Sequence, residues 1–124
     1  MAGAVTAGVA AARVLHQNQG MTLDKKVTIE REELNGVHEF VLRIDGERLG
    51  FLEFTRPEVG LMRIEYVEVS PGLRGTGLGR QLVAKAIEFA KDTELRVVPI
   101  CSYARAVIER DPAMSPLLTA RGGA

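Results

Sequence analysis

Apolar and polar residues alternate through much of residues 25–69, which is the pattern of strands that bury one face of a sheet. The Asn35-Gly36 pair interrupts the alternation and favours a type I′ turn, because both central positions of that turn need a positive φ. The sequence therefore predicts a β-hairpin that pairs Val27–Leu34 with Val37–Ile44.

Two further strands are predicted after the hairpin. Asp45-Gly46 provides the next turn and leads into residues 48–55, which extends an antiparallel meander. Pro57 and Gly60 break this run, and Leu61–Val69 then alternates again as a fourth strand. The fourth strand runs directly into a glycine-rich loop.

Beyond the loop the spacing of apolar residues becomes helical, and a helix is predicted over residues 77–91. Residues 95–98 form a fifth strand, parallel to the fourth because a helix crosses between them, and residues 103–110 form a second helix. The apolar stripe of the first helix comprises Leu78, Leu82, Val83, Ala86, Ile87 and Ala90. The predicted fold class is α/β (α+β), a mixed sheet in which an antiparallel meander precedes a β-α-β unit.

The length of 124 residues, with 46% hydrophobic residues, suits one domain. We expect this domain at residues 21–124, preceded by an Ala- and Gly-rich leader or flexible extension at residues 1–20 in which Arg13 is the only charged residue. The apolar stretches are too short to cross a bilayer, and no basic segment precedes them, so neither a membrane span nor a secretory signal is expected.

Charge and cysteine content narrow the classes of function. Lys plus Arg and Asp plus Glu both number 16, and aromatic residues make up 5%, which argues against nucleic acid or an anionic membrane as partner. Cys101 is the only cysteine, which excludes an intrachain disulfide and fits a reducing cytoplasm. His16 and His38 lack a second ligand at metal-binding spacing, so we expect no metal site and place both histidines at the surface.

The glycine-rich loop, residues 74–79, is the strongest functional signal in the chain. A strand that enters three closely spaced glycines and then a helix directs backbone N–H groups at one point, at the positive end of the helix dipole. Such a loop binds phosphate, and Arg74 adds a positive charge to it. The alternative is a turn that merely connects the strand to the helix.

Two better-known phosphate loops do not fit this segment. Gly72 and Gly77 have the spacing of a Walker A loop, but Leu78 stands where its lysine is required. The dinucleotide-binding fingerprint would need a glycine at Arg80. Nucleotide hydrolysis and hydride transfer are therefore disfavoured.

Residues 69–79, Val-Ser-Pro-Gly-Leu-Arg-Gly-Thr-Gly-Leu-Gly, resemble the cofactor-binding motif of the GNAT acetyltransferase superfamily. The core of that motif, Gln/Arg-x-x-Gly-x-Gly/Ala, is matched by Arg74, Gly77 and Gly79. The helix over residues 81–90 and the Pro-x-Cys-Ser-Tyr segment that ends at Tyr103 resemble a small, minimal GNAT-like subgroup.

The resemblance covers most of residues 37–118 and implies a mixed sheet that splays after the fourth strand, with acetyl-coenzyme A in the opening. It implies that the backbone of Val67 and Val69 bonds the pantetheine arm, and that Arg105 and Arg110 lie near the adenine. The residues implied to hold the pyrophosphate are Arg74, Gly75, Thr76, Gly77, Leu78, Gly79 and Arg80.

The implied activity is transfer of an acetyl group to a primary amine, on a protein lysine or a small molecule. Cys101 follows the fifth strand and precedes a helix, where a thiol can become a nucleophile, or it packs as a small hydrophobe. Tyr103 either protonates the departing thiolate or anchors its helix. Removal of a proton from the acceptor amine is then left to a carboxylate.

Glu68 is the candidate general base, and alternation along the strand predicts that Glu65 and Glu68 point to opposite faces. Many members of the small subgroup carry a histidine where this chain has Tyr66, so a histidine relay is not expected. A coenzyme A binding module or sensor without turnover is the alternative function. The expected partners are acetyl-coenzyme A and an amine acceptor in a shallow site, with the protein a monomer or small homo-oligomer.

Overall fold

The structure is a computed structural model that describes residues 25–119. It contains five strands and two helices, with two short 3-10 turns at Pro71–Leu73 and Ser115–Leu117. The elements are β1 (Val27–Leu34), β2 (Val37–Ile44), β3 (Glu47–Thr55), β4 (Leu61–Val69), α1 (Leu78–Thr93), β5 (Arg96–Pro99) and α2 (Ser102–Arg110). The predicted leader, residues 1–20, lies outside the described residues.

The two predicted turns adopt the backbone that their residues favour. Asn35 and Gly36 have φ values of 54° and 81°, and Asp45 and Gly46 have 52° and 86°. These positive angles suit asparagine, aspartate and glycine, and they set the register in which Leu34 pairs with Val37. The predicted hairpin is confirmed at both strand bounds, and the other elements begin and end within two residues of their predicted limits.

The strands form one sheet in the order β1-β2-β3-β4-β5. The first three pairings are antiparallel, whereas β4 and β5 are parallel because α1 crosses between them. The predicted mixed sheet, a meander followed by a β-α-β unit, is confirmed.

Both helices join one buried cluster with the side chains of a single sheet face. Phe54, at the centre of this face, is fully buried, and α2 contributes Ala104, Val107 and Ile108. Each large side chain buried here stabilises the fold by about 1.5–3 kcal/mol. The residues that α1 buries are the six of the predicted stripe, namely Leu78, Leu82, Val83, Ala86, Ile87 and Ala90. None of the helices within the described part of the chain is long and apolar enough to span a membrane.

A β-bulge at Glu65 changes which side chains of β4 face the core. The register runs from Glu53 opposite Tyr66 to Phe54 opposite Ile64, so Glu65 has no partner on β3. The prediction that Glu65 and Glu68 point to opposite faces is therefore wrong, because the extra residue restarts the alternation. Glu65 contacts Thr55, Glu68 pairs with Phe51, and both carboxylates lie on the face away from the core.

The sheet opens between β4 and β5 beyond Ile64. The pairing of the two strands ends with Ile64 opposite Pro99, while β4 continues to Val69. At this point the Ile64 carbonyl accepts hydrogen bonds from the N–H groups of Ile100 at 2.9 Å and Cys101 at 3.3 Å. The open end of β4 leads into the glycine-rich loop.

Candidate functional site

A cavity of about 880 Å³ lies at the open end of the sheet. The end of β4, the glycine-rich loop, the start of β3 and the first turn of α2 form its wall. Its volume falls in the range of pockets that enclose cofactor-sized ligands, roughly 300–1,000 Å³. Val67 and Val69, Arg74, Gly77 and Tyr103, all predicted site residues, line this one cavity.

The edge of β4 offers backbone hydrogen-bonding groups to the cavity. The N–H of Ser70 donates to the Leu49 carbonyl on β3 at 2.8 Å. Because successive residues of a strand direct their backbone groups to alternate sides, Val67 and Val69 direct theirs away from β3, towards the gap. Since β5 pairs with β4 only as far as Ile64, this stretch of the edge can bind an extended, amide-containing ligand.

The loop leaves some of its amides available and uses others internally. The amides of Arg74 and Thr76 donate to carbonyls of the preceding turn, and the Thr76 hydroxyl accepts from the Leu78 amide at 3.3 Å. Among the described residues, no hydrogen-bond acceptor faces the amides of Gly75, Gly77, Gly79 and Arg80. Of the seven residues predicted to hold an anion, four therefore have a free amide, just before or within the first turn of α1.

Two glycines of the loop have backbone angles that other residues adopt only with strain. Gly75 has a φ of 83°, and Gly77, the N-cap of α1, has a φ of 86°. A Cβ at either position would meet no atom within 4 Å, so the requirement for glycine is conformational and the space above the loop is open. The loop therefore presents a concave surface of N–H groups. We call the loop and its four free amides together the cradle.

Two arginines, Arg74 and Arg80, belong to the loop and to the first turn of α1. Arg74 is exposed at the cavity wall, and Arg80 makes a salt bridge of 3.2 Å with Asp111 after α2. Together with the helix dipole, the charge of Arg74 favours an anionic ligand in the cavity, whereas the charge of Arg80 is paired with Asp111. The other predicted contacts are placed differently: Leu78 buries its side chain in the core, and Arg105 donates to the Pro99 carbonyl at 3.1 Å.

The Tyr103 side chain lies beside the cradle, at the cavity wall. A Cβ at Gly79 would approach the Tyr103 hydroxyl to 2.8 Å. Burial raises the pKa of Tyr103, an effect that the nearby Arg80 opposes. The hydroxyl therefore keeps its proton and remains a hydrogen-bond donor at neutral pH.

Cys101 lies at the base of the opening. It is the N-cap of α2, half-buried against the core cluster, and its N–H reaches the Ile64 carbonyl where the strands part. Its side chain does not belong to the cavity wall formed by the described residues. The structure thus brings Cys101 close to the gap without exposing it in the cavity.

The two carboxylates of β4 differ in their surroundings. Glu65 accepts hydrogen bonds from Arg63 at 2.6 Å and from Thr55 at 3.0 Å, so its carboxylate is already engaged by neighbouring side chains. Glu68 is exposed, lines the cavity and has no ion-pair partner within residues 25–119. Of the two, only Glu68 is free to accept a proton from a ligand.

Sequence reasoning missed Gly50 and Arg48, which line the cavity from β3. A Cβ at Gly50 would lie 2.9 Å from the Glu68 carbonyl oxygen and 3.0 Å from Val69 Cγ1, so only glycine allows β3 this close to β4. A glycine inside a strand is the signal that could have indicated a close backbone approach. Arg48 stacks on Phe51 and pairs with Glu39, and no local motif marks it.

The prediction that His38 lies at the surface is wrong. Its side chain is only 12% exposed, because it pairs with Phe54 across the sheet and stacks on that ring at 4.8 Å. His16 lies outside the described residues. Over the described part of the chain, no group of three or more His, Cys, Asp or Glu side chains is arranged to hold a metal ion.

Burial lowers the pKa of His38 from 6.5, against an opposing effect of Glu33, while Arg31 and Arg56 lower it further. Between about pH 6.5 and this lowered pKa, His38 therefore binds more protons in the unfolded chain than in the folded one. We expect the free energy of unfolding to decrease as the pH falls from 6.5 towards this lowered pKa. His38→Phe, which keeps the stack, should flatten that slope in urea titrations between about pH 5 and 7. If the free energy of unfolding of His38→Phe fell with pH as steeply as that of the unaltered protein, this expectation would be wrong. His16 is present in both proteins and does not account for a difference between them.

Comparison with known proteins identifies the wider group to which this chain is similar. A family model described as GCN5-related N-acetyl-transferase matches residues 39–117. No protein with a curated function matches the sequence. The GNAT resemblance read from the loop is confirmed at the level of the family, whereas membership of the minimal subgroup stays a prediction.

Solved structures share the fold at low sequence identity. The IAA acetyltransferase from Bacillus cereus has a TM-score of 0.56 at 19% identity, covering 68% of this chain and 74% of that one. A GCN5-like protein from Staphylococcus aureus, solved by NMR, has a TM-score of 0.56 at 19% identity, covering 73% and 87%. A GNAT family acetyltransferase from Elizabethkingia anophelis with acetyl-CoA bound has a TM-score of 0.56 at 14% identity, covering 68% and 72%.

Proposed function

Because this chain belongs to the GCN5-related N-acetyl-transferase family, we propose that it transfers an acetyl group from acetyl-coenzyme A to a primary amine. The acceptor is a protein lysine or a small amine. One observation carries the proposal: the open strand edge at Val67 and Val69 and the cradle line the same cavity.

The cavity offers groups that complement the two ends of this cofactor. The backbone of Val67 and Val69 suits the amides of a pantetheine arm, since a strand edge binds extended amide chains. The four free amides of the cradle, with Arg74 beside them, suit a pyrophosphate. The open space above Gly75 and Gly77 leaves room for that anion.

When bound, acetyl-coenzyme A supplies an activated acetyl thioester. The chain must then deprotonate the acceptor ammonium, because only the neutral amine is a nucleophile. Glu68 is the residue proposed for this step, since its carboxylate lines the cavity and has no ion-pair partner within residues 25–119. Tyr103, for which the sequence left open a role as proton donor to the thiolate or as anchor of its helix, keeps its proton at neutral pH.

Two routes for the acetyl group fit the position of Cys101. In the direct route the amine nitrogen bonds the acetyl carbon and the thiolate leaves, with Cys101 only packing at the base of the gap. In the two-step route the Cys101 sulfur first bonds the acetyl carbon and the coenzyme A thiolate leaves; the amine nitrogen then bonds the same carbon and the Cys101 thiolate leaves. Mass spectrometry after brief exposure to acetyl-coenzyme A separates them, because only the second route leaves acetyl on Cys101.

Glu68→Gln should lower kcat for an amine acceptor by more than about tenfold while binding of acetyl-coenzyme A is unchanged, because only proton removal is lost. The matched control is Glu88→Gln, which changes an exposed glutamate on α1 that pairs with Lys85. Acetyl transfer to a panel of amines and lysine peptides is the assay. Full activity in Glu68→Gln would remove Glu68 from the mechanism.

A coenzyme A binding module is the second candidate function. The absence of Cys101 from the cavity wall formed by the described residues, and the engagement of Glu65 by Arg63, favour it because they leave few catalytic groups. Calorimetric titration with acetyl-coenzyme A beside the transfer assay distinguishes the two. Binding without turnover on any acceptor would support the module, and no binding would remove both functions.

A further inference from the structure

The Tyr103 side chain extends from the first turn of α2 to the first turn of α1. A Cβ built on Gly79 would lie 2.8 Å from the Tyr103 hydroxyl oxygen and 3.3 Å from Cζ. The hydroxyl therefore occupies the space that a side chain at Gly79 would need. It does so at the cavity wall, to which Gly79 and Tyr103 both contribute.

This position places the hydroxyl among the free donors of the cradle. Gly79 carries one of the four free amides, and Gly77 and Arg80 carry others on either side of it. The opening between β4 and β5, by contrast, begins at Ile64, where Cys101 donates its N–H. Although Tyr103 follows Cys101 by two residues, its ring points to the loop.

We propose that the Tyr103 hydroxyl binds a phosphate oxygen of the cofactor and completes the cradle as a donor from α2. This inference rests on the proposed function, because it takes the cradle as the pyrophosphate site. A phenol O–H that donates to an anionic oxygen forms a charge-assisted hydrogen bond, which is stronger than a neutral one. Tyr103 is thus a binding residue, and protonation of the thiolate is left to solvent or another group.

The same contact explains why the third glycine of the loop, Gly79, has no side chain. A methyl group at Gly79 would push the hydroxyl out of place, although Gly79 itself has no positive φ that demands glycine. Gly79→Ala and Tyr103→Phe should therefore weaken binding by acting on one hydrogen bond, and their effects should not add. The double variant should bind as well as Tyr103→Phe alone.

The first experiment is calorimetric titration of coenzyme A into the unaltered protein, Tyr103→Phe and Tyr66→Phe. We expect Tyr103→Phe to raise the Kd about tenfold, in line with the loss of one hydrogen bond to a charged group. Tyr66→Phe is the matched control, because Tyr66 is the only other tyrosine and is 60% exposed outside the cavity wall. An unchanged Kd in Tyr103→Phe would overturn the inference while leaving the proposed function intact.

A second measurement separates hydrogen bonding from a purely structural role. With Cζ-labelled tyrosine, the protein gives two Cζ resonances, which the two phenylalanine variants assign. Addition of coenzyme A should shift the Tyr103 resonance and leave that of Tyr66 unchanged. A Tyr103 resonance that does not move on saturation, or additive losses in the double variant with Gly79→Ala, would overturn the inference. Failure of the unaltered protein to bind coenzyme A would instead overturn the proposed function and this inference with it.

Discussion

Replacing Gly77 by glutamate should weaken binding of acetyl-coenzyme A by at least about 100-fold, which is roughly 2.7 kcal/mol. Gly77 is the N-cap of α1 and lines the cavity. A glutamate there places a negative charge beside the free amides, where it repels the pyrophosphate and competes with it for the helix dipole. Calorimetric titration measures the loss directly.

The matched control is Gly36→Glu in the β1-β2 turn. Gly36 has a φ of 81°, close to the 86° of Gly77, and a Cβ at either position meets nothing within 4 Å. The two variants therefore carry similar backbone strain, and only one of them changes the cradle. If both variants bind acetyl-coenzyme A like the unaltered protein, the loop is a structural connection and the cradle does not hold the cofactor.

Gly50→Ala should destabilise the fold by about 2–3 kcal/mol, the upper part of the range for overpacked sites. Its Cβ would lie 2.9 Å from the Glu68 carbonyl oxygen, 3.0 Å from Val69 Cγ1 and 3.1 Å from Leu42 Cδ2. The nearest of these atoms belongs to the backbone of β4, so relief requires a shift of the strand that forms the cavity wall. Urea denaturation gives the free energy of unfolding.

Gly72→Ala provides the comparison for Gly50→Ala. A Cβ at Gly72 meets no atom within 4 Å, and Gly72 has no positive φ. This substitution should leave the free energy of unfolding unchanged or raise it slightly, because alanine restricts the unfolded chain. Equal stability of Gly50→Ala and Gly72→Ala would show that β3 and β4 can separate at no cost.

Features that depend on neighbouring residues were predictable from sequence. Asn35-Gly36 encodes its turn because those residues tolerate a positive φ, and the turn sets the register of the hairpin. The apolar period of α1 identified all six of its buried residues. The loop was recognised for the same reason, since closely spaced glycines before a helix are a local signal.

Features of the site that depend on packing were not predictable in this way. The bulge at Glu65 is fixed by how β4 pairs with β3, and it placed Glu68 and Glu65 on one face. His38 is half-buried because it stacks on Phe54, sixteen positions further along the chain and opposite it in the sheet. Which loop amides are free depends on the hydroxyl of Thr76 and on the preceding turn.

The sequence by itself determined the order of strands and helices along the chain and the glycine-rich loop before α1, because backbone angles and apolar periods are set by residues close together in the chain. The tertiary structure alone decided that Tyr103 lies over Gly79, that Gly50 brings β3 against β4, and that Cys101 sits at the base of the gap. These contacts join distant residues, and their geometry follows from how the helices and strands pack together.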